Sequence, residues 1–560
     1  MRNSNNNYNI KNFLKKDIIE IVRKKEFIKW SKFEKKKYDQ YLNKLYPVFN
    51  KFHKVNYSKG FWDLLLGYFL LIHISLCLRF HFSKFKKKTR VNQIAKKQIE
   101  ILDPKYYYIP TTRIEHREYF QMSDLGQNQL FSQYIIGQDI LKNITFFKKK
   151  KKTKNFKTEG IKEYIFKFRQ YLSFRLKNPI AIFTGCYMSK NFMESLKLKN
   201  KNNLSFIKFY IPEKRNTKLF WSVRNMISNL RTADKFDKFF FSTLNYSLPR
   251  SILEDFNYNS NFTLKFLNKL KKLKFLFNEN MTEANLFLVA FSKIKKIKTI
   301  YLEHNWIQHQ YIGNIINFIK DKFDFFFTNG WKFNDKKMIP SGSYFFYPKI
   351  KKLNILKKKK ILFVSGATLK RPPYTFSGHD AHDANNHEEF IKMNNFFFNN
   401  LDNKILKNIW IRRHPEKKNK HPAIDEFFYT KAKKINFINT KKESLIDNIT
   451  SFELVVINYL STPYLQTLCQ NVPTVIFFNK NANFLNNNNL DFYNDLFNSN
   501  ILHSDPKKAA KFVKKIWQNP SEWWNNKDTQ KLKKKFLDKT LKDGIYLENR
   551  INNLINKTTY

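Results

Sequence analysis

At 560 residues the chain exceeds what one hydrophobic core organises, so two or three domains are expected. Its 42% hydrophobic and 27% charged content describes a globular protein and excludes a largely disordered one. A formal charge of +59, from 104 Lys and Arg against 45 Asp and Glu, points first to nucleic acid. The excess, however, is mostly lysine spread among abundant Asn, Phe, Ile and Tyr, residues that AT-rich codons supply, and a solvated basic surface accounts for it; attraction to an anionic membrane or to anionic donors is the other reading.

In chain order, the N-terminus MRNSNNNYNIKNFLKKD lacks the apolar core of a signal peptide. Residues 1–60 alternate aromatic and basic positions at helical spacing, with no proline before Pro47, and read as helices. FWDLLLGYFLLIHISLCL, 61–78, has the length of a short membrane span but carries Asp63, Gly67 and His73, which favours a buried helix of a soluble protein. Residues 81–105 are basic and helix-prone, and KKKKKTK at 148–154 reads as a solvated loop. Strands follow at 180–187 (IAIFTGCY), 295–304 (KKIKTIYLEH) and 323–331 (FDFFFTNGW). After a turn-rich stretch near Pro340 and Pro348 the rhythm resumes at 357–366 and 408–415. The stretch LVVINYLSTPYLQTLCQNVPTVIFF, 454–478, reads as strand, turn, helix, strand, with Ser461 and Thr462 capping a helix that has Pro463 in its first turn. Asn-rich 479–495 reads as an irregular loop, and no short repeat is visible. Alternating strands and helices imply parallel sheets covered on both faces. The expected fold is therefore α/β, with two Rossmann-like halves. Cys77, Cys186 and Cys469 lie far apart without CxxC spacing, so neither a disulfide framework nor a structural zinc is expected and a reducing compartment fits.

In such sheets ligands bind beyond the carboxyl ends of the strands, which selects four places. Glu303 and His304, with Asn305, Gln308 and His309 behind them, could take a proton from an acceptor hydroxyl or orient the group that does; ordinary turn residues are the alternative. Ser365 and Gly366, with Lys370 and Arg371 following, form a small-residue turn whose amides could approach a phosphate, although the GxxxxGK[ST] pattern is absent. Arg412, Arg413 and His414 at the next strand end match phosphate oxygens, or are an exposed basic turn. Ser461 and Thr462 at a helix N-terminus suit a diphosphate or sugar phosphate. The acidic and histidine-rich loop 377–389 lacks HExxH or a cysteine partner, so no metal is assigned to it. Neither GxSxG nor GxGxxG occurs, against serine hydrolases and dinucleotide-dependent oxidoreductases.

Several segments together resemble a family of bacterial transferases linked to surface-carbohydrate and O-antigen synthesis: 41–71, TLNYSLPRSILEDF, FFFTNGWKFNDKKMIPSG, 454–478 and PSEWWNNKDTQKLKKKF. More distantly the chain is similar to CDP-glycerol glycerophosphotransferases and capsule-type glycosyltransferases of the GT-B fold. The resemblance implies two Rossmann-like domains facing a cleft, a donor site mostly on the second, and a transfer needing no metal or other cofactor. The relatives' Gln-His-Gly-Gly carries over as His304 without the glycines, and their helix glutamate is Gln466 here, an amide with one acceptor oxygen for a ribose where a carboxylate has two.

The resulting expectation is a helical region (1–105), an acceptor domain (106–345), a nucleotide-donor domain (346–520) and a C-terminal helix packing back (521–560). The enzyme would pass a sugar or polyol phosphate from a CMP-, CDP- or UDP-linked donor to a glycan or lipid-linked glycan at the cell surface, with His304 and Glu303 catalytic and Ser365, Gly366, Arg412, Arg413, His414, Ser461, Thr462 and Gln466 on the donor. A cytoplasmic place follows, with peripheral contact at the anionic inner membrane face and no nucleic-acid partner. The rival readings are a non-catalytic basic module binding nucleic acid or membrane, and a transferase fold that has lost activity.

Overall fold

A computed structural model describes residues 24–83, 99–104, 107–116, 178–186, 188–200, 203–214, 217–303, 314–332, 335–344, 358–366, 387–413, 436–438, 451–460, 462–478 and 491–557, with a few isolated positions and 144–147 between them. It contains two six-stranded parallel sheets and a two-stranded one formed by β1 (Ile99–Leu102) and β2 (Ile144–Phe147). Ile99–Leu102 thus departs from the helix expected over 81–105.

The first large sheet comprises β3 (Ala181–Thr184), β4 (Leu204–Ile207), β5 (Phe275–Asn278), β6 (Lys298–Leu302), β7 (Phe325–Thr328) and β8 (Met338–Pro340), in the order β4-β3-β5-β6-β7-β8. The second comprises β9 (Lys358–Val364), β10 (Ile409–Arg412), β11 (Asn436–Phe437), β12 (Phe452–Ile457), β13 (Thr474–Phe477) and β14 (Leu502–His503), in the order β11-β10-β9-β12-β13-β14. This is the α/β, GT-B-like architecture expected, with the change of sheet falling between Pro340 and Lys358. Both faces of each sheet are covered, which is why strands such as FELVVI are almost wholly apolar: Leu454 and Val456 face one core, Val455 and Ile457 the other.

Two long helices, α1 (Lys24–His53) and α2 (Lys59–Ser83), pack on each other and on one face of the first domain rather than standing apart from it. Between β3 and β8 run α3 (Lys190–Lys199), α4 (Trp221–Ser228), α5 (Lys235–Ser247), α6 (Phe256–Asn268), α7 (Glu283–Ile294) and α8 (Asn314–Lys322). Helix α2 lies against α5, α7 and α8; it is long and apolar enough to cross a membrane, but its side chains from Phe61 to Leu78 are almost all buried within the protein. Helix α1 is fastened by Lys37, whose ammonium lies 2.6 Å from both Asp234 and Asp237, and by the Tyr41 hydroxyl, which donates to Asp237 at 2.6 Å.

The second domain carries α9 (His387–Asn399), α10 (Thr462–Cys469) and α11 (Pro506–Ile516). The Asn-rich stretch turns helical from Asp491 and buries Tyr493, where a loop was expected. Two last helices join the domains. Helix α12 (Lys527–Thr540) docks on the second through Phe536, Lys533 to Asn471, and Lys539 to Asp495 at 3.1 Å. Helix α13 (Gly544–Asn556) returns to the first, burying Leu547, Ile551 and Ile555 against β3, β5 and α3. The residues between them run along the exits of β7 and β8: Leu541 bridges Gly330, Lys542 N–H donates to Asn329 O at 2.9 Å and Ser343 N–H to Lys542 O at 3.0 Å.

Burial of imidazoles gives this fold a pH dependence. Desolvation lowers His53 to about 4, His73 to about 3 and His503 to about 4, and lowers His116, which shares a hydrogen bond of 3.1 Å with His73. The unfolded chain therefore binds protons that the folded one refuses, and stability present above about pH 6.5 is lost on acidification towards these lowered values. Each group removes up to about 1.4 kcal/mol per pH unit in that window. Denaturant midpoints at pH 7, 6 and 5 should fall progressively, and His73→Asn should flatten the profile.

Candidate active site

In each large sheet one pair of neighbouring strands marks where the winding reverses, β3 and β5 in the first and β9 and β12 in the second, and the crevice at the carboxyl ends there is the expected ligand position. In the second domain β10, β9 and β12 are consecutive, so Arg412 and Arg413, Ser365 and Gly366, and the turn leading to Thr462 leave on one edge within roughly 10 Å, two strand spacings. Parallel pairing sets Arg412 opposite Val364 and Ile457 opposite Val364 on the other side.

These exits are cross-linked. Ser365 N–H donates to Arg412 O at 3.0 Å. Gly366 N–H donates to Asn458 Oδ1 at 2.7 Å, Asn458 Nδ2 to Asn394 Oδ1 at 2.9 Å, and Asn394 Nδ2 to Phe390 O at 2.9 Å. Asn458 and Asn394 are fully buried. The consequence revises the expectation for this turn: both amides are already used, so Ser365 and Gly366 do not offer those N–H groups to a phosphate. The glycine is needed for space, since a Cβ there would sit 2.9 Å from Cγ of Tyr459. Asn458, Tyr459 and Asn394 were not among the residues selected from sequence; an Asn directly after a Val/Ile run was the available signal.

Arg412 is buried at the end of β10, and the Arg413 guanidinium lies 5.0 Å from the centre of the Phe437 ring. Thr462 is the first residue of α10, Pro463 is buried in its first turn, and Gln466 is half-buried one turn on. His304, His414 and Ser461 lie outside the described residues, as do Lys370 and Arg371.

On the first domain Glu303 follows β6 and is buried. Its Oε2 accepts from Asn329 N–H at 2.9 Å and Trp331 Nε1–H at 2.8 Å. The carboxylate thus clamps the turn after β7, the same turn whose Asn329 carbonyl and Gly330 meet residues 541 and 542. Gly330 has φ +138°, and a Cβ there would stand 2.3 Å from Lys542 N. This wiring suits a positioning residue more directly than a proton acceptor. At the other reversal point, unselected from sequence because FLFN is too short to separate strand from buried helix, Thr184 Oγ1–H donates to Asn285 Oδ1 at 2.9 Å, Tyr344 O–H donates to Glu279, and the buried Asn278 carboxamide makes no hydrogen bond. Burial and the Glu279 carboxylate push the Cys186 thiol well up, which disfavours its thiolate near neutrality. Among the described residues no group of three or more His, Cys, Asp or Glu is placed to hold a metal ion.

Two parallel α/β domains, with polar strand exits and a final helix returning to the first, make up a GT-B-like α/β scaffold. The chain belongs to the LIC12162 family of transferases, whose profile matches residues 7–546, and it is accordingly a transferase. No curated protein matches it significantly. Among solved structures it is similar to UDP-N-acetylglucosamine 2-epimerase from Rickettsia bellii (12% identity, TM-score 0.38, 67% of this chain and 95% of that one). Similarity extends to the UDP-forming trehalose-phosphate synthase from Burkholderia vietnamiensis (8%, 0.37, 68% and 100%) and to a glycosyltransferase from Rickettsia africae (7%, 0.37, 68% and 99%). At this level the likeness does not extend to substrate or residue roles.

Proposed function

We propose that this transferase moves a sugar or polyol phosphate from a nucleotide-activated donor to a cell-surface glycan, working at the cytoplasmic side of the membrane. The observation that carries the reading is the cross-linked edge formed by β10, β9 and β12, which holds Arg412 and Arg413 and the N-terminus of α10 in fixed relation. Arg412 and Arg413 at the exit of β10 and a helix start after β12, on the two sides of the reversal point, suit the donor's phosphates and would neutralise the departing nucleotide, a diphosphate where a sugar leaves UDP and a monophosphate where a polyol phosphate leaves a CDP-linked donor. His304, next to the clamped Glu303, is assigned the acceptor hydroxyl's proton. The acceptor oxygen then forms its bond to the transferred group as the bond to the nucleotide breaks. The sequence Arg413-His414-Pro415 resembles the His-Pro motif of transferases that use CMP-sugars, which inclines the donor towards cytidine.

Thermal shift with CMP, CDP, UDP and GDP tests this. A base-selective rise is expected, corresponding to about 2.7 kcal/mol at a hundredfold excess over Kd. Arg412→Ala should abolish it, and equal indifference to all four nucleotides would remove the donor site.

A further inference from the structure

Three large apolar side chains that stand in solvent, Phe220, Trp221 and Met226, fall together at 37%, 42% and 48% exposure on α4 and its N-cap. The opposite side of this helix is bolted down. Arg224 is fully buried, donates Nε–H and Nη2–H to the two Glu254 carboxylate oxygens at 2.6 and 2.7 Å, and reaches Leu248 O at 3.1 Å. Glu254 also accepts Phe220 N–H at 3.2 Å, and Ile227 is buried below. Phe220 leans edge-on against Phe52 and Trp221 against Tyr246, with ring centres 5.3 and 5.6 Å apart. A rigid helix therefore holds Trp221 and Met226 at the two margins of its exposed face, with Ser222 and Asn225 between them and Phe220 at its start, and exposed large apolar side chains carried on one short helix mark an interaction surface.

Its setting is basic. Lys208, Lys214 and Lys218 are exposed on the connection that enters α4, and Arg231 is exposed just beyond it; of the nearby acids Glu213 is exposed and Asp234 is bonded to Lys37. That connection leaves β4 at the carboxyl edge of the first sheet, the edge that carries Glu303.

We propose that α4 is the surface by which the first domain docks on an anionic lipid bilayer, with Phe220, Trp221 and Met226 entering the headgroup boundary and the lysines meeting the anionic headgroups. The inference rests on the proposed function, since a glycan acceptor built on a lipid would be presented at that surface. Exposed aromatic and thioether side chains on a helix entered by a lysine-bearing connection fit a negatively charged apolar boundary better than they fit a nucleic acid, which would call for base stacking along a groove.

The test is co-sedimentation of the full-length protein with vesicles of phosphatidylcholine alone and of phosphatidylcholine mixed with phosphatidylglycerol. Binding to the mixed vesicles is expected to fall at least about tenfold in the variant combining Phe220→Ser, Trp221→Ser and Met226→Ser, and in Lys208→Gln with Lys214→Gln and Lys218→Gln. Lys508→Gln with Lys511→Gln and Lys515→Gln, exposed on α11, should change it less than about twofold. No binding by the wild type, undiminished binding by the serine variant, or equal loss in both lysine triplets would overturn the proposal. So would self-association in sedimentation velocity that the serine variant abolishes, which would give the face to a second copy. Nucleotide thermal shifts on the same variants keep the two readings apart: a retained shift without vesicle binding removes only the membrane surface, and vesicle binding without any shift removes the donor site.

Discussion

Glu303→Gln is expected to keep most of the enzyme's activity, whereas Glu303→Ala loses both stability and turnover. The carboxylate oxygen that accepts from Asn329 N–H and Trp331 Nε1–H is replaced in glutamine by a carbonyl oxygen with two lone pairs, so one acceptor can still serve both donors. Alanine leaves two buried donors without an acceptor, at about 1–3 kcal/mol each. Trp331→Phe removes one of those donors, so combined with Glu303→Ala it should cost less than the two changes separately. Denaturant midpoints and kcat/KM for Glu303→Gln, Glu303→Ala, Trp331→Phe and the combination of the last two check this. A kcat at least about a hundredfold lower in Glu303→Gln with an unchanged unfolding midpoint would instead make Glu303 the base.

The second large effect is expected at Asn458. Alanine there leaves the Gly366 amide and the Asn394 carboxamide oxygen without partners in a fully buried place, a loss of roughly 2–4 kcal/mol. It also frees the exit of β9 from that of β12. Nucleotide affinity should drop about tenfold or more, as expected when groups on two strands must be held in register for one ligand. Aspartate keeps an acceptor for Gly366 N–H but can satisfy Asn394 only if that amide turns and abandons Phe390 O, so an intermediate loss is expected. Hydrogen exchange of the segment 361–366 reads the clamp, and CDP or UDP titration reads its consequence. Unaltered exchange and affinity in Asn458→Ala would show that the turn is held by packing against Tyr459 alone.

Much of the second domain was legible because its strands are buried on both faces and so appear as apolar runs that end in hydroxyls, arginines or glycine. The run at 454–478 reads as strand, helix and strand in the places the structure puts them, since Pro463 in the first turn after an apolar run leaves few alternatives. Less could be read in the first domain. β4 and β5 have four residues each, too few for their period to separate a strand from a piece of buried helix, and the polar exits Asn278 and Glu279 were missed with them. The roles of Gly366 and Glu303 were unreadable for a different reason. Whether an amide is free for a ligand, or a carboxylate free for a proton, depends on partners 92 and 26 to 28 positions away in the chain, and spacing does not report them.

The returning helix bears on how the molecule is made. Glu548 reaches back to Ser195 across 353 positions, and Leu547, Ile551 and Ile555 roof a face of the sheet that contains β3 and β5. During synthesis, at about 5–20 residues per second, that face waits for more than half the polypeptide to emerge before its cover exists. The lobe begun first is thus closed last, after its successor has had time to fold, and the nascent protein carries an open apolar sheet that a chaperone would be suited to shield.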